Sequence, residues 1–130
     1  MKTQTVLRMA VSLAVVLLLA VPGNAQQFED DTAAAVPQDV MSALKGELFR
    51  KLVNPDGAKI RAINKAPMGD AWCGFINVPN GMGALTGYRA FAFRPSKPHL
   101  ILAEIDESDP LYAISRQSIT LRGCSIEMSF

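Results

Sequence analysis

The spacing of apolar residues changes three times along this chain, and each spacing is typical of a different structure. Residues 9–21 form a run without charge, and residues 40–53 place apolar side chains three and four positions apart. In residues 58–105, apolar and polar residues alternate or short stretches are entirely aliphatic. Helical spacing of apolar residues returns over residues 111–121. This order predicts a leader, a helix, several strands and a second, short helix.

The first 25 residues have the order of a secretory signal. Lys2 and Arg8 precede the apolar run, and Gly23-Asn24-Ala25 then puts small residues at the two positions that signal peptidase reads. The run of 13 residues is shorter than the roughly 20 that a helix needs to cross a bilayer. We therefore expect a signal peptide over residues 1–25 and a periplasmic or secreted protein without a membrane span after cleavage. A retained N-terminal anchor is the alternative.

The rest of the chain is predicted to be a flexible lead-in followed by one domain. Residues 26–36 hold acidic residues and an alanine run without apolar periodicity, and residues 37–130 form a single α+β domain. The first helix of the domain opens at Pro37 and ends before Pro55, because the residue before a proline is disfavoured in a helix. The apolar stripe expected on this helix comprises Val40, Met41, Leu44, Leu48, Phe49, Leu52 and Val53.

Four strands are predicted between residues 58 and 105, with Asn80-Gly81-Met82-Gly83 as a hairpin connection between the second and third. In the first strand, Ile60 and Ala62 are expected on one face and the basic residues on the other, and Phe91 and Phe93 share a face of the third strand. The predicted strands are Ala58–Ala66, Ala71–Val78, Leu85–Arg94 and His99–Ile105.

The second helix is predicted to start after a cap at Ser108-Asp109-Pro110 and to end at Gly123. The residues whose spacing indicates this helix are Leu111, Ile114, Ser118 and Leu121. The predicted fold is therefore α+β, with an N-terminal helix, an antiparallel meander of about four strands and a short C-terminal helix. Both helices are expected on one face of the sheet.

The charge and cysteine content narrow the class of protein. The formal net charge of the chain is +1, and loss of Lys2 and Arg8 with the leader makes it −1, so a nucleic-acid partner is not expected. Cys73 and Cys124 are the two cysteines, and an oxidising compartment favours a disulfide between them. A reactive thiol or a redox pair is the alternative, although redox pairs usually lie two residues apart.

A resemblance rests on two motifs of the chain. Asn54-Pro55-Asp56-Gly57-Ala58-Lys59-Ile60-Arg61 is followed by Cys73-Gly74-x-x-Asn77-x-x-Asn80-x-x-Gly83-x-x-x-Gly87-Tyr88. Together they resemble a recurrent signature of small exported bacterial proteins of uncharacterised activity, whose first motif tends to read Asp-Pro-x-Ser-Ala-x-Phe-Arg. The resemblance implies a bacterial envelope or secreted protein and no particular activity.

Residues suited to catalysis or metal binding are few. His99 is the only histidine, and it has no partner at a metal-ligand spacing, so we expect an exposed or edge histidine. Glu104, Asp106, Glu107 and Asp109 form an acidic run without the glycine and the closing glutamate of a calcium loop. We expect no catalytic residue, metal or cofactor.

The candidate interaction surface combines the loop after the second strand with the basic first strand. Glycines in the loop expose backbone, and asparagine side chains both donate and accept hydrogen bonds; the alternative is that the same residues only stabilise turns and leave room for Trp72, Phe75 or Tyr88. A basic patch is also expected if Lys59, Arg61 and Lys65 neighbour Arg89, Arg94 and Lys97. The candidate residues are Asn77, Asn80, Met82, Tyr88, Lys59 and Arg61.

The sequence favours a non-enzymatic binding, accessory or inhibitor protein whose partner is another envelope or secreted protein. The first alternative is a small enzyme acting on cell-wall or other anionic substrates, with Glu104 or another residue of the acidic run as its acid/base residue. The second alternative is a structural component of the envelope.

Overall fold

The computed structural model describes residues 27–127, so the predicted signal peptide lies outside the described residues. Five strands, two α-helices and a short 3-10 helix at Asp31–Ala35 make up this part of the chain. In chain order the elements are β1 (Gln27–Phe28), α1 (Gln38–Lys51), β2 (Lys59–Lys65), β3 (Trp72–Pro79), β4 (Leu85–Arg94), β5 (His99–Leu102) and α2 (Tyr112–Leu121).

The strands form one sheet in the order of the sequence, β1-β2-β3-β4-β5. Strands β2 to β5 pair antiparallel, which confirms the predicted meander, and the 80–84 hairpin joins β3 to β4. The fifth strand was not predicted: β1 pairs parallel with β2 and makes the sheet mixed. Strand β1 and the 3-10 helix lie within the segment predicted as a flexible lead-in.

Helix α1 covers one face of the sheet and buries the larger of two cores. Val40, Leu44 and Leu48 point from α1 towards the aromatic pair Phe91 and Phe93, all of them buried. The helix ends where predicted, but Phe49 and Val53 are exposed rather than part of the stripe. Phe49 lies about 100° around the helix from Leu48, outside the buried strip, and Val53 follows the end of the helix.

Helix α2 lies on the opposite face of the sheet, so the prediction of both helices on one face was wrong. Ile119 packs there with Ala90, Ala92 and Ala103, and successive strand residues point to opposite faces. The alanines let the helix approach the sheet closely. The predicted disulfide is formed on this side, between Cys73 of β3 and Cys124 just after α2, with Cα atoms 5.4 Å apart.

A β-bulge changes the alternation of β2. Ala62 has a φ of 53°, and the pairing with β3 shifts between Arg61 and Asn64. Ile63 therefore joins Ile60 in the core under α1, while Ala62 packs on the α2 side. The expectation that Ile60 and Ala62 share a face was wrong, because the extra residue reverses the phase of the strand.

The face of α2 that packs on the sheet does not carry the residues whose spacing predicted the helix. Ser115 and Ile119 face the sheet: the Ser115 hydroxyl accepts from the Glu104 N–H at 2.9 Å, and Ile119 is fully buried. At 3.6 residues per turn, Leu111, Ile114 and Leu121 lie about a quarter of a turn away. Leu111, Ile114 and Leu121 are exposed as a result, and Ser118 is half-buried.

Within residues 27–127, no helix is long and apolar enough to cross a bilayer.

Candidate interaction surfaces

Four of the six predicted surface residues come together on the α2 side of the sheet. Lys59, Asn77 and Tyr88 are direct register partners across β2, β3 and β4. Arg61 occupies the next position of β2 on the same face, opposite Phe75. We call Lys59, Arg61, Tyr88 and the adjoining Glu29 the sheet-face cluster.

The sheet-face cluster is held together by charge and ring contacts. The Arg61 guanidinium lies 3.6 Å from the centroid of the Tyr88 ring, so the two side chains meet across β3. The Tyr88 hydroxyl donates to the Glu29 carboxylate, and the Lys59 Nζ lies 3.9 Å from the same carboxylate. Burial, then the hydrogen bond and the negative charge of Glu29, raise the pKa of Tyr88. The cluster is therefore preorganised around one aromatic ring, with the charge of Lys59 beside Glu29 and the charge of Arg61 acting on Asp30.

The two asparagines of the predicted surface bond to nearby backbone. The Asn77 Oδ1 accepts from the Gly87 N–H at 2.9 Å. The Asn80 Oδ1 accepts from the N–H groups of Met82 and Ala84 at 2.9 and 3.0 Å. Both side chains thus stabilise the β3–β4 connection, as asparagines commonly do in turns.

Met82 lies at the tip of this connection and is 94% exposed. Asn80 and Met82 belong to the hairpin loop rather than to the sheet-face cluster, so the predicted surface divides into two parts.

Glycine is favoured at positions 74 and 87 of the motif for different structural reasons. A Cβ at Gly74 would lie 2.5 Å from the Phe91 ring, so the ring that crosses this glycine is Phe91 and not Trp72, Phe75 or Tyr88. Gly87 has a φ of +107° with no atom within 4 Å of a built Cβ. Its conformation, not a covering ring, favours glycine there.

The expected basic patch does not form. Strand β3 separates β2 from β4, and Arg89 pairs with Ile76 on the α1 side, opposite to the face that carries Lys59 and Arg61. Arg89 is half-buried beside a cavity of about 350 Å³ under the hairpin, which Asn80 and Glu104 also line. Burial lowers the pKa of Arg89, while the Glu104 charge raises it. The sequence alone does not distinguish Arg89 from the other arginines, because only the strand register shows which face of the sheet it occupies.

The residues considered for catalysis have structural contacts. The Glu104 Oε1 accepts from the N–H groups of Ile105 and Asp106 at 2.9 and 3.2 Å, and Asp106 and Asp109 accept from Ser108 and Leu111. These bonds hold the chain between β5 and α2. Within residues 27–127, no group of three or more histidine, cysteine or acidic side chains is placed to hold a metal ion.

His99 opens β5 at the exposed edge of the sheet. Its Nδ1 lies 3.4 Å from Nη2 of Arg122. Partial burial is the main cause that lowers the pKa of His99, followed by the positive charges of Arg122, Lys51 and Arg94.

The feature that sequence analysis missed is the lateral face of α2. Leu111, Ile114 and Leu121 are 59%, 61% and 79% exposed, and we call these three residues the α2 stripe. Their helical spacing was visible in the sequence, but which face of the helix stays exposed was not. A contiguous exposed apolar patch can mark a protein-binding surface.

Comparison with known proteins gives no relative: no family model, curated protein or solved structure matches this chain.

Proposed function

We propose that this protein is an exported, non-enzymatic binding protein that docks another envelope or secreted protein on the α2 side of its sheet. The observation that carries the proposal is the α2 stripe. Exposed apolar side chains gain most when a partner removes them from water, at about 25 cal/mol per Å². The stripe is the largest aligned set of such side chains on the helices of residues 27–127.

The position of the sheet-face cluster also favours the α2 side of the sheet as the docking surface. It lies on the face that α2 packs against, and it combines an arginine stacked on an aromatic ring with the ion pair of Lys59 and Glu29. Aromatic residues and arginine are enriched at protein interfaces. The apolar stripe would supply affinity, and the charged cluster would supply orientation and association rate.

Export is supported by the leader sequence and by the disulfide. A bridge between Cys73 and Cys124 is typical of proteins that fold in an oxidising compartment. The resemblance to small exported bacterial proteins is in keeping with this location.

The experiment compares surface variants in the cells that produce the protein, with the loss-of-gene phenotype as readout. Ile114→Ser and Leu121→Ser are expected to abolish function while leaving the melting temperature within a degree or two, because both side chains are exposed. Phe49→Ser, an exposed apolar residue of α1, is the matched control and is expected to retain function.

The competing enzyme hypothesis is tested in the same strains. Glu104→Gln and His99→Ala are expected to retain the phenotype of the unaltered protein. If either abolishes function in a folded protein while Ile114→Ser does not, the binding proposal is wrong.

A further inference from the structure

A cavity opens beside the end of α2, away from the sheet-face cluster. Its volume is about 450 Å³, and it is lined by the 68–71 segment, Arg94 of β4 and the 120–123 segment. Small-molecule sites in proteins usually measure about 300–1,000 Å³. The cavity is therefore large enough for a small organic ligand.

Two guanidinium groups and one carboxylate line the cavity, so its charge is positive. Arg94 Nε lies 3.3 Å from the Asp70 carboxylate, which also accepts from the Ser96 hydroxyl. The hydrogen bond from Ser96, and then the charge of Arg94, lower the pKa of Asp70, so this carboxylate is ionised and offsets one cation only. Arg122 contributes the second cation.

Arg122 shares the Asp70 carboxylate with Arg94, because the charge of Asp70 acts on both guanidinium groups. Its Nη1 is buried and has no hydrogen-bond acceptor among the described residues, and its Nη2 faces the ring nitrogen of His99. A guanidinium has five N–H donors in a planar fork that matches a carboxylate. A ligand carboxylate beside Arg122 and Arg94 would balance the positive charge that Asp70 leaves in excess.

The lining of the cavity also includes apolar side chains. Met68 is 83% exposed, and Leu121 projects from the last turn of α2. A ligand with an anionic end alone would leave both side chains in water, whereas an attached hydrocarbon chain would cover them.

We propose that this cavity is a binding site for a small amphipathic carboxylate, whose carboxylate is bound by Arg122 and Arg94 and whose hydrocarbon chain packs on Met68 and Leu121. The proposal does not depend on the docking function proposed above, although Leu121 belongs to both surfaces, so Ile114→Ser tests docking without altering this cavity.

Calorimetric titration of the oxidised protein with three probes tests both halves of the site. Decanoate carries the anion and the chain, decanol lacks the charge, and acetate lacks the chain. Saturable 1:1 binding of decanoate, with decanol and acetate each at least about tenfold weaker, is the expected result. No saturable decanoate binding, or equal binding of decanol or acetate, would overturn the proposal.

Matched variants locate the binding. Arg122→Gln and Arg94→Gln are each expected to weaken decanoate binding about tenfold or more, since a charge-assisted hydrogen bond is lost. Arg116→Gln is the control, because Arg116 stacks on Tyr112 within α2 and does not line the cavity. An equal loss with Arg116→Gln would contradict the assignment.

A second matched pair keeps the test decisive if the Arg122 variant fails to fold. Met68→Ser is expected to weaken decanoate binding several-fold without changing acetate binding. Met82→Ser, at an equally exposed methionine of the hairpin tip, is expected to change neither. If both methionine variants bind decanoate like the unaltered protein, the hydrocarbon chain does not occupy this cavity.

Discussion

The absence of a side chain at Gly74 leaves room for the Phe91 ring in the core under α1. The Phe91 ring lies against Gly74, at 2.5 Å from where a Cβ would be, and both residues are direct partners across β3 and β4. Strand glycines commonly mark such a close approach.

The first prediction is that Gly74→Ala destabilises the protein by about 1–3 kcal/mol through overpacking. Gly46→Ala is the control: Gly46 lies inside α1 with no atom within 4 Å of a built Cβ, so alanine should stabilise by about 0.5–1 kcal/mol. Urea unfolding of both variants provides the measurement. Equal effects of the two substitutions would show that the Phe91 contact is unimportant.

Asp30 satisfies the backbone that the β2 bulge leaves without sheet partners. Its carboxylate accepts from the Ala62 N–H at 2.8 Å and from the Thr32 N–H at 3.2 Å, and the Thr32 hydroxyl accepts from the Ile63 N–H at 2.9 Å. Burial is the largest effect on the pKa of Asp30 and raises it. The bonds from Thr32 and Ala62, with the charge of Arg61, outweigh burial and lower the pKa below 3.8.

The second prediction follows from the lowered pKa of Asp30. A carboxylate whose pKa is lower in the folded state contributes stability that is present above its unfolded pKa of 3.8 and is lost as pH falls through the folded value. Asp30→Ala should therefore destabilise by about 0.5–1 kcal/mol at pH 7, because solvent screens this exposed carboxylate, and by less at pH 2–3. Asp31→Ala is the control, and unfolding free energies at both pH values are the measurement. A pH-independent difference for Asp30→Ala would contradict the role of its charge.

At the residue scale, local chemistry was predictable and long-range contacts were not. The Asn77 and Asn80 bonds to nearby backbone follow from the turn preference of asparagine, which the sequence displays. The Arg61–Tyr88 contact and the Glu29–Tyr88 bond depend on strand register and on β1, and nothing local in the sequence encodes either.

At the element scale, α2 shows why periodicity predicts a helix better than it predicts the buried face. Apolar spacing in residues 111–121 indicated the helix correctly, but the spacing does not show which side chains meet the sheet. Ile119 is buried with Ala90, Ala92 and Ala103, and the Ser115 hydroxyl accepts from the Glu104 N–H. The large aliphatic side chains of the pattern lie on the exposed side of the helix.

The third prediction tests the rotation of α2 directly. Ile119→Ala should destabilise by about 2–5 kcal/mol because Ile119 is fully buried. Ile114→Ala should change stability by no more than about 0.5 kcal/mol, since it is exposed and alanine favours helices. Denaturant unfolding of the two variants is the measurement, and the reverse order of effects would place Ile114 in the core.

For β2, alternation failed as a predictor because a bulge reverses it partway along the strand. Nothing in Lys59–Lys65 signals that Ala62 adopts a positive φ, a conformation uncommon for residues other than glycine. By contrast, the bounds of β4 were predicted correctly, since its Phe91 and Phe93 alternate without interruption and a turn flanks it on each side.

At the scale of the whole molecule, one covalent bond joins the centre of the sheet to the end of α2. The fourth prediction is that Cys73→Ser/Cys124→Ser destabilises the protein by about 4 kcal/mol, the chain-entropy value for a loop of this length, here a sequence separation of 51 residues. The measurement compares urea unfolding of the oxidised protein, the reduced protein and the double variant. If reduction leaves stability unchanged, the bridge does not constrain the unfolded chain.

The architecture was largely predictable, and the arrangement of its layers was not. The α+β class, four antiparallel strands and the disulfide follow from periodicity, turn residues and cysteine use. The placement of helices on both faces and the parallel β1 depend on tertiary packing. That packing is also what exposes the α2 stripe, so the surface on which the proposed function depends became visible only in the folded structure.

Site-specific photocrosslinking in the native compartment shows whether the α2 stripe binds a partner protein. A photoreactive residue is placed in turn at position 114 in the α2 stripe, at 82 on the hairpin tip and at 49 on α1, and the crosslinked species are compared by size and mass spectrometry. The account predicts one defined exported protein captured from position 114 and not from 49, with capture reduced by added unlabelled protein. Capture from 49 or 82 alone, or no defined species from 114, would contradict it.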